Sequence, residues 1–383
     1  MYCNGSLVLD FRKTEKNIIF VNNYGIIDRL HHRLALGPQF IRQFTFDIEQ
    51  MMVASRRLNS SEREVNTVYV MGLARSGTTI VLRLLDQVPE FCSLTYRDMP
   101  WILAPNFLKK LNRILPRDIA PTERVHGDGL MVSLDSPESF EEIFWRTVLP
   151  SVKASKIYPS QIITPEILDR FAIFRQAVLA SRNVKDSNEK PTHYLSKNNN
   201  NIVRINTLLS EKSASAVVVY RNPMKTAKSL FNIHNRFCVM ALRDKFLLEY
   251  MGWLNHFEFG PDHKPFDFIA TKMNANRSPL QADYWLDYWI EYHKHLQKIV
   301  ASNPAIKLVN HDALVADPKH STERLLSSFG IVAQPKDISN LINQNTKYDS
   351  LERVFDESLV KQAERVYNEL SASNSNLCKA MPS

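Results

Sequence analysis

Short apolar runs alternate along this chain with longer stretches in which apolar residues recur every three or four positions. The runs at 68–71 and 216–220 read Val-Tyr-Val-Met and Ala-Val-Val-Val-Tyr. An uninterrupted β-branched run of this kind is typical of a strand buried on both faces of a parallel sheet. Apolar residues at Ile80, Leu82, Leu84 and Leu85 predict an amphipathic helix directly after the first run. The alternation predicts a three-layer α/β fold with a central, mainly parallel sheet flanked by helices.

The same reading predicts two more strands and several helices. The strands are expected at about 91–96 and 306–309, and Pro223 fits the first position of a helix that runs past His234, with Asn222 as its cap. Other helices are expected at about 101–115, 137–148, 164–182, 240–252 and 282–301, with three more beyond the last strand.

Residues 1–65 are interpreted as an N-terminal helical extension, and residues 66–383 as the main domain. A helical pattern of apolar residues runs from Phe40 to Leu58, and the polar stretch 59–64 then interrupts it before the first strand. No candidate chemistry lies in this extension. We expect it to pack on the core or to form a contact in a dimer.

Composition and charge narrow the class of protein. The 383 residues are 44% hydrophobic, enough for a substantial core, and the net charge of +8 favours anionic partners. No long basic run is present, so nucleic acid is not an expected partner. No apolar stretch approaches the roughly 18–20 residues of a membrane span. The four cysteines Cys3, Cys92, Cys238 and Cys378 lie far apart. They predict free thiols, no metal site and a cytoplasmic protein.

The segment 72–79, Gly-Leu-Ala-Arg-Ser-Gly-Thr-Thr, predicts an anion site between the first strand and its helix. Gly72 and Gly77 allow the backbone to curl, and the first turn of the helix adds N–H groups and the positive end of its dipole. The spacing imitates the P-loop of nucleoside-triphosphate enzymes. However, Thr78 stands where that loop has lysine, and the positive charge lies earlier, at Arg75. The missing lysine argues against a kinase.

A second anion site is predicted at Arg221 and Ser229. Arg221 follows the buried strand, and Ser229 lies about two turns into the next helix. A phosphate there can accept two hydrogen bonds from the guanidinium group and one from the hydroxyl. A purely structural pair remains the alternative interpretation.

The two segments, in this order, resemble the 5′-phosphosulfate loop and the 3′-phosphate motif of sulfotransferases that use 3′-phosphoadenosine 5′-phosphosulfate (PAPS). Shorter segments at 96–100, 123–129, 135–138, 230–234 and 256–260 are similar to those of a bacterial group of large sulfotransferases. The resemblance covers roughly residues 60–330 and implies a P-loop-like fold. The C-terminal R-K-G-x-x-G motif of cytosolic members is missing, so the adenine contacts stay unassigned.

The resemblance also implies roles for individual residues in donor binding. The 5′-phosphosulfate would be held by Arg75, Ser76, Gly77, Thr78 and Thr79. The 3′-phosphate of PAPS, or of its product 3′-phosphoadenosine 5′-phosphate (PAP), would be held by Arg221 and Ser229. Arg75 is also expected to act in catalysis, and no metal is expected.

Two further catalytic roles follow from the resemblance. Lys197 would neutralise the bridging oxygen as the phosphate leaves. Asp98, 23 residues after Arg75, is the expected general base, with His126 and Glu142 as alternatives.

The implied reaction is sulfuryl transfer from PAPS to a hydroxyl or amine of a carbohydrate, glycolipid or small metabolite. Two other functions remain open at this point: a nucleotide-dependent P-loop kinase, and a PAP-binding module without catalysis.

Overall fold

The computed structural model describes residues 24–54, 65–107, 122–123, 131–182, 191–331 and 355–379. The strands are β1 (Asn66–Gly72), β2 (Phe91–Cys92), β3 (Thr122–Glu123), β4 (Met131–Val132), β5 (His193–Lys197), β6 (Ala214–Tyr220) and β7 (Ile306–Asn310). The α-helices of the N-terminal half are α1 (Ile26–Leu36), α2 (Gln39–Ala54), α3 (Thr78–Asp86), α4 (Glu142–Val148) and α5 (Pro165–Arg182). Those that follow are α6 (Ile205–Leu208), α7 (Pro223–Arg243), α8 (Lys245–Trp253), α9 (Asp267–Ala270), α10 (Ala282–Ser302), α11 (His311–Ala316), α12 (Pro318–Ser327) and α13 (Glu357–Lys379).

A five-stranded sheet in the order β2-β5-β1-β6-β7 forms the centre of the fold, and every neighbouring pair in it is parallel. β3 and β4 form a separate antiparallel pair. The α/β prediction is therefore confirmed. In the central register Val70 lies opposite Lys197, and Gly72 lies opposite Val219. The carboxyl ends of β1, β5 and β6 therefore lie at one edge of the sheet.

Two apolar clusters enclose this sheet. The smaller cluster joins β1 and β6 to α3, α11 and α12 through residues such as Val81, Leu314 and Leu326. The larger cluster is rich in buried aromatic rings, among them Trp145, Trp285 and Trp289. The buried rings of α10 explain why its aromatic side chains recur at helical spacing: they line the core.

The strand predicted at 91–96 is shorter than expected. It ends at Cys92, and a 3-10 helix occupies Tyr96–Asp98. The backbone N–H of Thr95 donates to the Asp98 carboxylate at 2.8 Å, which closes this turn as a capping box. The helix expected from 137 begins at Glu142. Of the helix expected at 101–115, residues 108–115 lie outside the described residues.

The N-terminal extension contains two helices that pack on the main domain. Ion pairs join Arg29 to Asp244 and Arg33 to Glu249. Glu49 of α2 accepts hydrogen bonds from the backbone and side chain of Asn106. The opposite side of α1 and α2 exposes large apolar side chains: Ile26, Ile27, Leu30, Leu34, Phe40, Phe44 and Met51. The boundary at residue 65 stays a prediction. Within the described part of the chain, no helix combines the length and hydrophobicity needed to cross a membrane.

Candidate functional site

The predicted site residues lie at the carboxyl edge of the sheet. The loop 73–77 follows β1, Lys197 is the last residue of β5, Arg221 follows β6, and His311 follows β7. The parallel register brings these strand ends together. In open α/β sheets, ligands bind outside the carboxyl ends of the strands.

The loop 73–77 curls through two left-handed residues, Arg75 with φ of 71° and Gly77 with φ of 96°. A Cβ atom at Gly72 would lie only 2.4 Å from the Val219 carbonyl oxygen, so the loop can start here only from a glycine. Gly77 is the N-cap of α3 and supplies no side-chain acceptor for the N–H groups of the first turn. This arrangement suits an anion. Ser76 is buried, and its Oγ has no hydrogen-bond partner among the described residues.

The two predicted anion sites are in direct contact. Arg75 donates a hydrogen bond from Nε to Ser229 Oγ at 3.1 Å, across 154 positions of sequence. Arg75 has a left-handed backbone, and its side chain reaches Ser229 in α7. The structure therefore brings the loop after β1 together with the strand-helix unit at β6 and α7.

Arg221 lies at the start of a well-capped helix. Asn222 Oδ1 accepts a hydrogen bond from the backbone N–H of Lys225 at 3.0 Å, and Pro223 occupies the first turn, as predicted. The backbone N–H of Asn222 donates to Asp312 at 2.8 Å, which ties this turn to α11. Lys225 Nζ lies 3.7 Å from the same carboxylate. The site is therefore rich in positive charge, with one carboxylate that orders it.

Lys197, at the end of β5, is buried and only 7% exposed. Its Nζ lies 3.9 Å from Glu138 Oε1. Glu138 in turn accepts hydrogen bonds from the Tyr96 hydroxyl at 3.2 Å and from the Ser139 backbone N–H at 2.9 Å. This contact holds a cation and a carboxylate side by side at the edge of the sheet.

A second carboxylate near Lys197 is Glu258. His256 Nδ1 lies 2.9 Å from Glu258 Oε2, and Asn199 donates to Glu258 at 3.3 Å. Burial would raise the pKa of Glu258, but His256 and Lys197 outweigh it and lower the pKa to about 2. Glu258 is therefore a fixed negative charge and a poor proton acceptor.

Asp98 is held in a buried ion pair. It is 3% exposed, and Arg182 donates from Nη1 to Oδ1 at 3.1 Å and from Nη2 to Oδ2. Thr95 adds a backbone hydrogen bond to Oδ2. Both carboxylate oxygens thus have strong donors. The neighbouring Arg97 pairs with Asp135 instead.

Glu142 and His126 are the two alternative candidates for the general base. Glu142 is buried against Arg204 and also accepts from Tyr158 and Asn198. Burial would raise the pKa of Glu142, but Arg204 outweighs it and keeps the pKa lowered. Glu142 is therefore a structural carboxylate. His126 lies outside the described residues.

The sequence patterns do not single out Glu138, Glu258 or His311. Glu138 and Glu258 lie within the short segments at 135–138 and 256–260, and His311 lies two residues after the strand predicted at 306–309, where parallel sheets place ligands. For metal binding, a search of the described residues finds no group of three His, Cys, Asp or Glu able to hold an ion.

A family model described as "Sulfotransferase domain" matches residues 66–363, well over half of the chain. The chain belongs to the sulfotransferase domain family. It is a sulfuryl-transferring enzyme, and membership of this family favours sulfuryl over phosphoryl transfer. A search of curated proteins finds no match to this sulfotransferase.

Solved structures of sulfotransferases resemble it at low identity. STF1 from Mycobacterium tuberculosis H37Rv is 14% identical. The match covers 94% of this chain and 90% of the STF1 chain, with a TM-score of 0.47. STF9 from Mycobacterium avium is 15% identical, with coverage of 90% and 83% and a TM-score of 0.49. Retinol dehydratase in complex with androsterone and PAP is 12% identical, with coverage of 85% and 84% and a TM-score of 0.31.

Proposed function

We propose that this sulfotransferase takes its sulfuryl group from PAPS and transfers it to a hydroxyl or amine acceptor. The observation that carries the proposal is the contact between Arg75 and Ser229. This contact supports the proposal because it joins the loop at the start of α3 to α7, the helix that follows Arg221. A nucleotide with a 5′-phosphosulfate and a 3′-phosphate has the two anionic groups that such a pair of sites requires.

The residues fit such a donor. The 5′-phosphosulfate would be held by Arg75, Ser76, Gly77, Thr78 and Thr79, and the 3′-phosphate by Arg221 and Ser229. The buried Ser76 Oγ, which has no protein partner in the described chain, is the kind of group that a bound oxyanion satisfies. The lack of a lysine at position 78 fits a donor without a γ-phosphate.

The proposed chemistry is an in-line displacement at sulfur. The acceptor oxygen or nitrogen forms a bond to sulfur while the bond from sulfur to the bridging phosphate oxygen breaks, and a protein base takes the acceptor proton. Arg75 would stabilise the charge on the transferring group. Lys197 would neutralise the bridging oxygen, and its burial strengthens this electrostatic effect.

Asp98 stays a prediction for the general base. Acting as one would require it to exchange hydrogen bonds with Arg182 and Thr95 for one with the acceptor. Glu138 is a second candidate, favoured by its position 3.9 Å from Lys197.

For the acceptor, we propose a carbohydrate, a glycolipid or a small hydroxylated metabolite. For the compartment, we propose a reducing one such as the cytoplasm, because Cys92 and Cys238 are thiols and form no disulfide.

The donor is tested by isothermal calorimetry with PAP and AMP, which differ by the 3′-phosphate. We expect the wild type to prefer PAP by roughly 10–100-fold, since a charge-assisted contact contributes about 1.5–3 kcal/mol. Arg221→Glu should abolish this preference. Arg243→Glu, at the exposed far end of the same helix, is the matched control and should keep it.

A wild type that binds AMP as well as PAP would overturn the proposal. PAP binding without any sulfate transfer across a broad acceptor panel would instead favour the binding module. ATP- and Mg²⁺-dependent transfer would favour a kinase.

A further inference from the structure

His311 packs directly on the phosphosulfate loop. It is the first residue of α11 and follows β7, so the sheet order β1-β6-β7 brings it across β6 to the start of α3. A Cβ atom at Gly77 would lie 2.1 Å from His311 Cδ2 and 2.9 Å from His311 Nε2. The imidazole edge therefore occupies the space that any side chain at position 77 would fill.

One ring nitrogen of His311 has no protein partner among the described residues. His311 is only 7% exposed, and its Nδ1 has no hydrogen-bond partner within the described parts of the chain. A buried polar atom of this kind costs free energy unless a ligand or water satisfies it. Because Cδ2 and Nε2 are the ring atoms that face Gly77, Nδ1 lies on the other edge of the ring, and the neighbouring cations Arg221 and Lys225 favour a negatively charged partner there.

The charges around the ring support the same conclusion. Arg221 and Lys225, from the end of β6 and the start of α7, are the cations that face it, and Asp312 on its own helix is the one carboxylate. The phosphosulfate loop contributes the Gly77 backbone to the contact. A neutral imidazole held beside two cations at an anion site becomes a favourable proton acceptor once an anion with two negative groups arrives.

We propose that His311 is a further nucleotide-binding residue, which joins the Gly77 and Arg221 pockets and takes up a proton when the doubly phosphorylated nucleotide binds. This inference rests on the proposed PAPS donor. The nucleotide site would then include a residue that follows β7, in addition to those that follow β1 and β6. Nucleotide affinity would depend on pH through the His311 imidazole.

The direction of the pH dependence follows from the free protein. Burial lowers the pKa of His311 to about 4, with Arg221 and Lys225 acting in the same direction against Asp312. The ring is therefore neutral at pH 7.5 before nucleotide binds. Bound phosphate raises its pKa by about 1–3 units. Affinity then rises as pH falls through the bound-state pKa and levels off below the free-state pKa. Between pH 7.5 and 5 a rise of two units gives about a tenfold gain.

The experiment measures PAP affinity by calorimetry at pH 5, 6 and 7.5 for the wild type, His311→Gln and His320→Gln. His320 lies on the next helix, α12, and is exposed, so its variant is the matched control. The control also reports the titration of the PAP phosphates themselves. We expect His311→Gln to bind within about threefold of the wild type at pH 7.5 and to lack the tenfold extra gain at pH 5.

Proton uptake on PAP binding gives a second readout, which differs from the pH dependence of the affinity. At pH 6, calorimetry of the wild type in two buffers of different ionisation enthalpy should show uptake beyond that of His311→Gln. Parallel pH profiles for all three proteins, or equal uptake, would overturn the inference and leave the PAPS donor intact. A wild type without preference for PAP over AMP would instead remove the donor itself.

Discussion

The substitution Gly77→Ala tests the geometry on which the nucleotide site depends. Gly77 has a φ of 96°, in the left-handed region, and a Cβ atom there would lie 2.1 Å from His311 Cδ2. The change adds one methyl group, so any large effect must come from backbone strain and from contact with the ring. Neither term requires a change of charge.

The two terms can be sized separately. A left-handed conformation costs a non-glycine residue about 1–2 kcal/mol. Forcing a methyl group against a packed ring costs about 1–3 kcal/mol more. We therefore expect Gly77→Ala to lower the free energy of unfolding by about 2–5 kcal/mol. Nucleotide binding should be lost as well, because either relaxation moves the loop or the ring.

Urea unfolding and PAP calorimetry measure these effects, with Gly252→Ala as the matched control. Gly252 lies in α8, and a Cβ there meets nothing within 4 Å. This control should stabilise by about 0.5–1 kcal/mol, as expected for alanine in a helix. Adding His311→Ala to Gly77→Ala should recover about 1–3 kcal/mol relative to additivity, because the ring is then absent. If Gly77→Ala unfolds and binds PAP like Gly252→Ala, the loop does not have this conformation.

Three further predictions follow from single side chains. Lys197→Met should lower sulfuryl transfer by at least about 100-fold in single-turnover assays while PAP affinity changes little, since the charge acts on the leaving oxygen; equal losses in both would contradict this role. With Asp98 as the base, Asp98→Asn should keep PAP binding and lose about 10²–10⁴ of transfer, while Glu138→Gln transfers normally. The opposite pattern would contradict the role of Asp98 and assign the base to Glu138, whose Oε1 lies 3.9 Å from Lys197 Nζ. Burial lowers the pKa of His293 to about 3, so acidification favours the unfolded chain, in which histidine titrates near 6.5. From pH 7.5 to 5 this costs about 2 kcal/mol, and His293→Gln should remove that part of the pH dependence in urea unfolding; an unchanged slope would refute it.

Much of the fold could be predicted because its signals are local. The β-branched run of β6 and the apolar spacing of α3 each indicate one element and one buried face, and both elements form where expected. The cap and proline at Asn222 and Pro223 also act within one turn of helix. Such features depend on neighbours in sequence, so one chain is enough to read them.

The environment of Asp98 could not be predicted, because it depends on a residue 84 positions away. The spacing from Arg75 places Asp98 after the right strand but says nothing of Arg182, which lies at the end of α5. Only the packing of α5 beside β2 and β5 makes that pair. A spacing in sequence can therefore locate a carboxylate at the correct edge without deciding whether it is available to accept a proton.

The proposed specificity for a doubly charged nucleotide depends on the order of strands more than on any single motif. The loop after β1 supplies the helix-start anion site, β6 supplies Arg221, and β7 supplies His311. These strands are neighbours in the sheet, so Arg221 and His311 lie at the same edge as the loop, and Arg75 and Ser229 link the loop to α7 by a direct hydrogen bond. A mononucleotide with one anionic end would use only part of this set of donors and would therefore bind more weakly. Discrimination for the 3′-phosphate is thus expected to disappear when the link is cut on either side, by substitution of Arg75 or of Ser229.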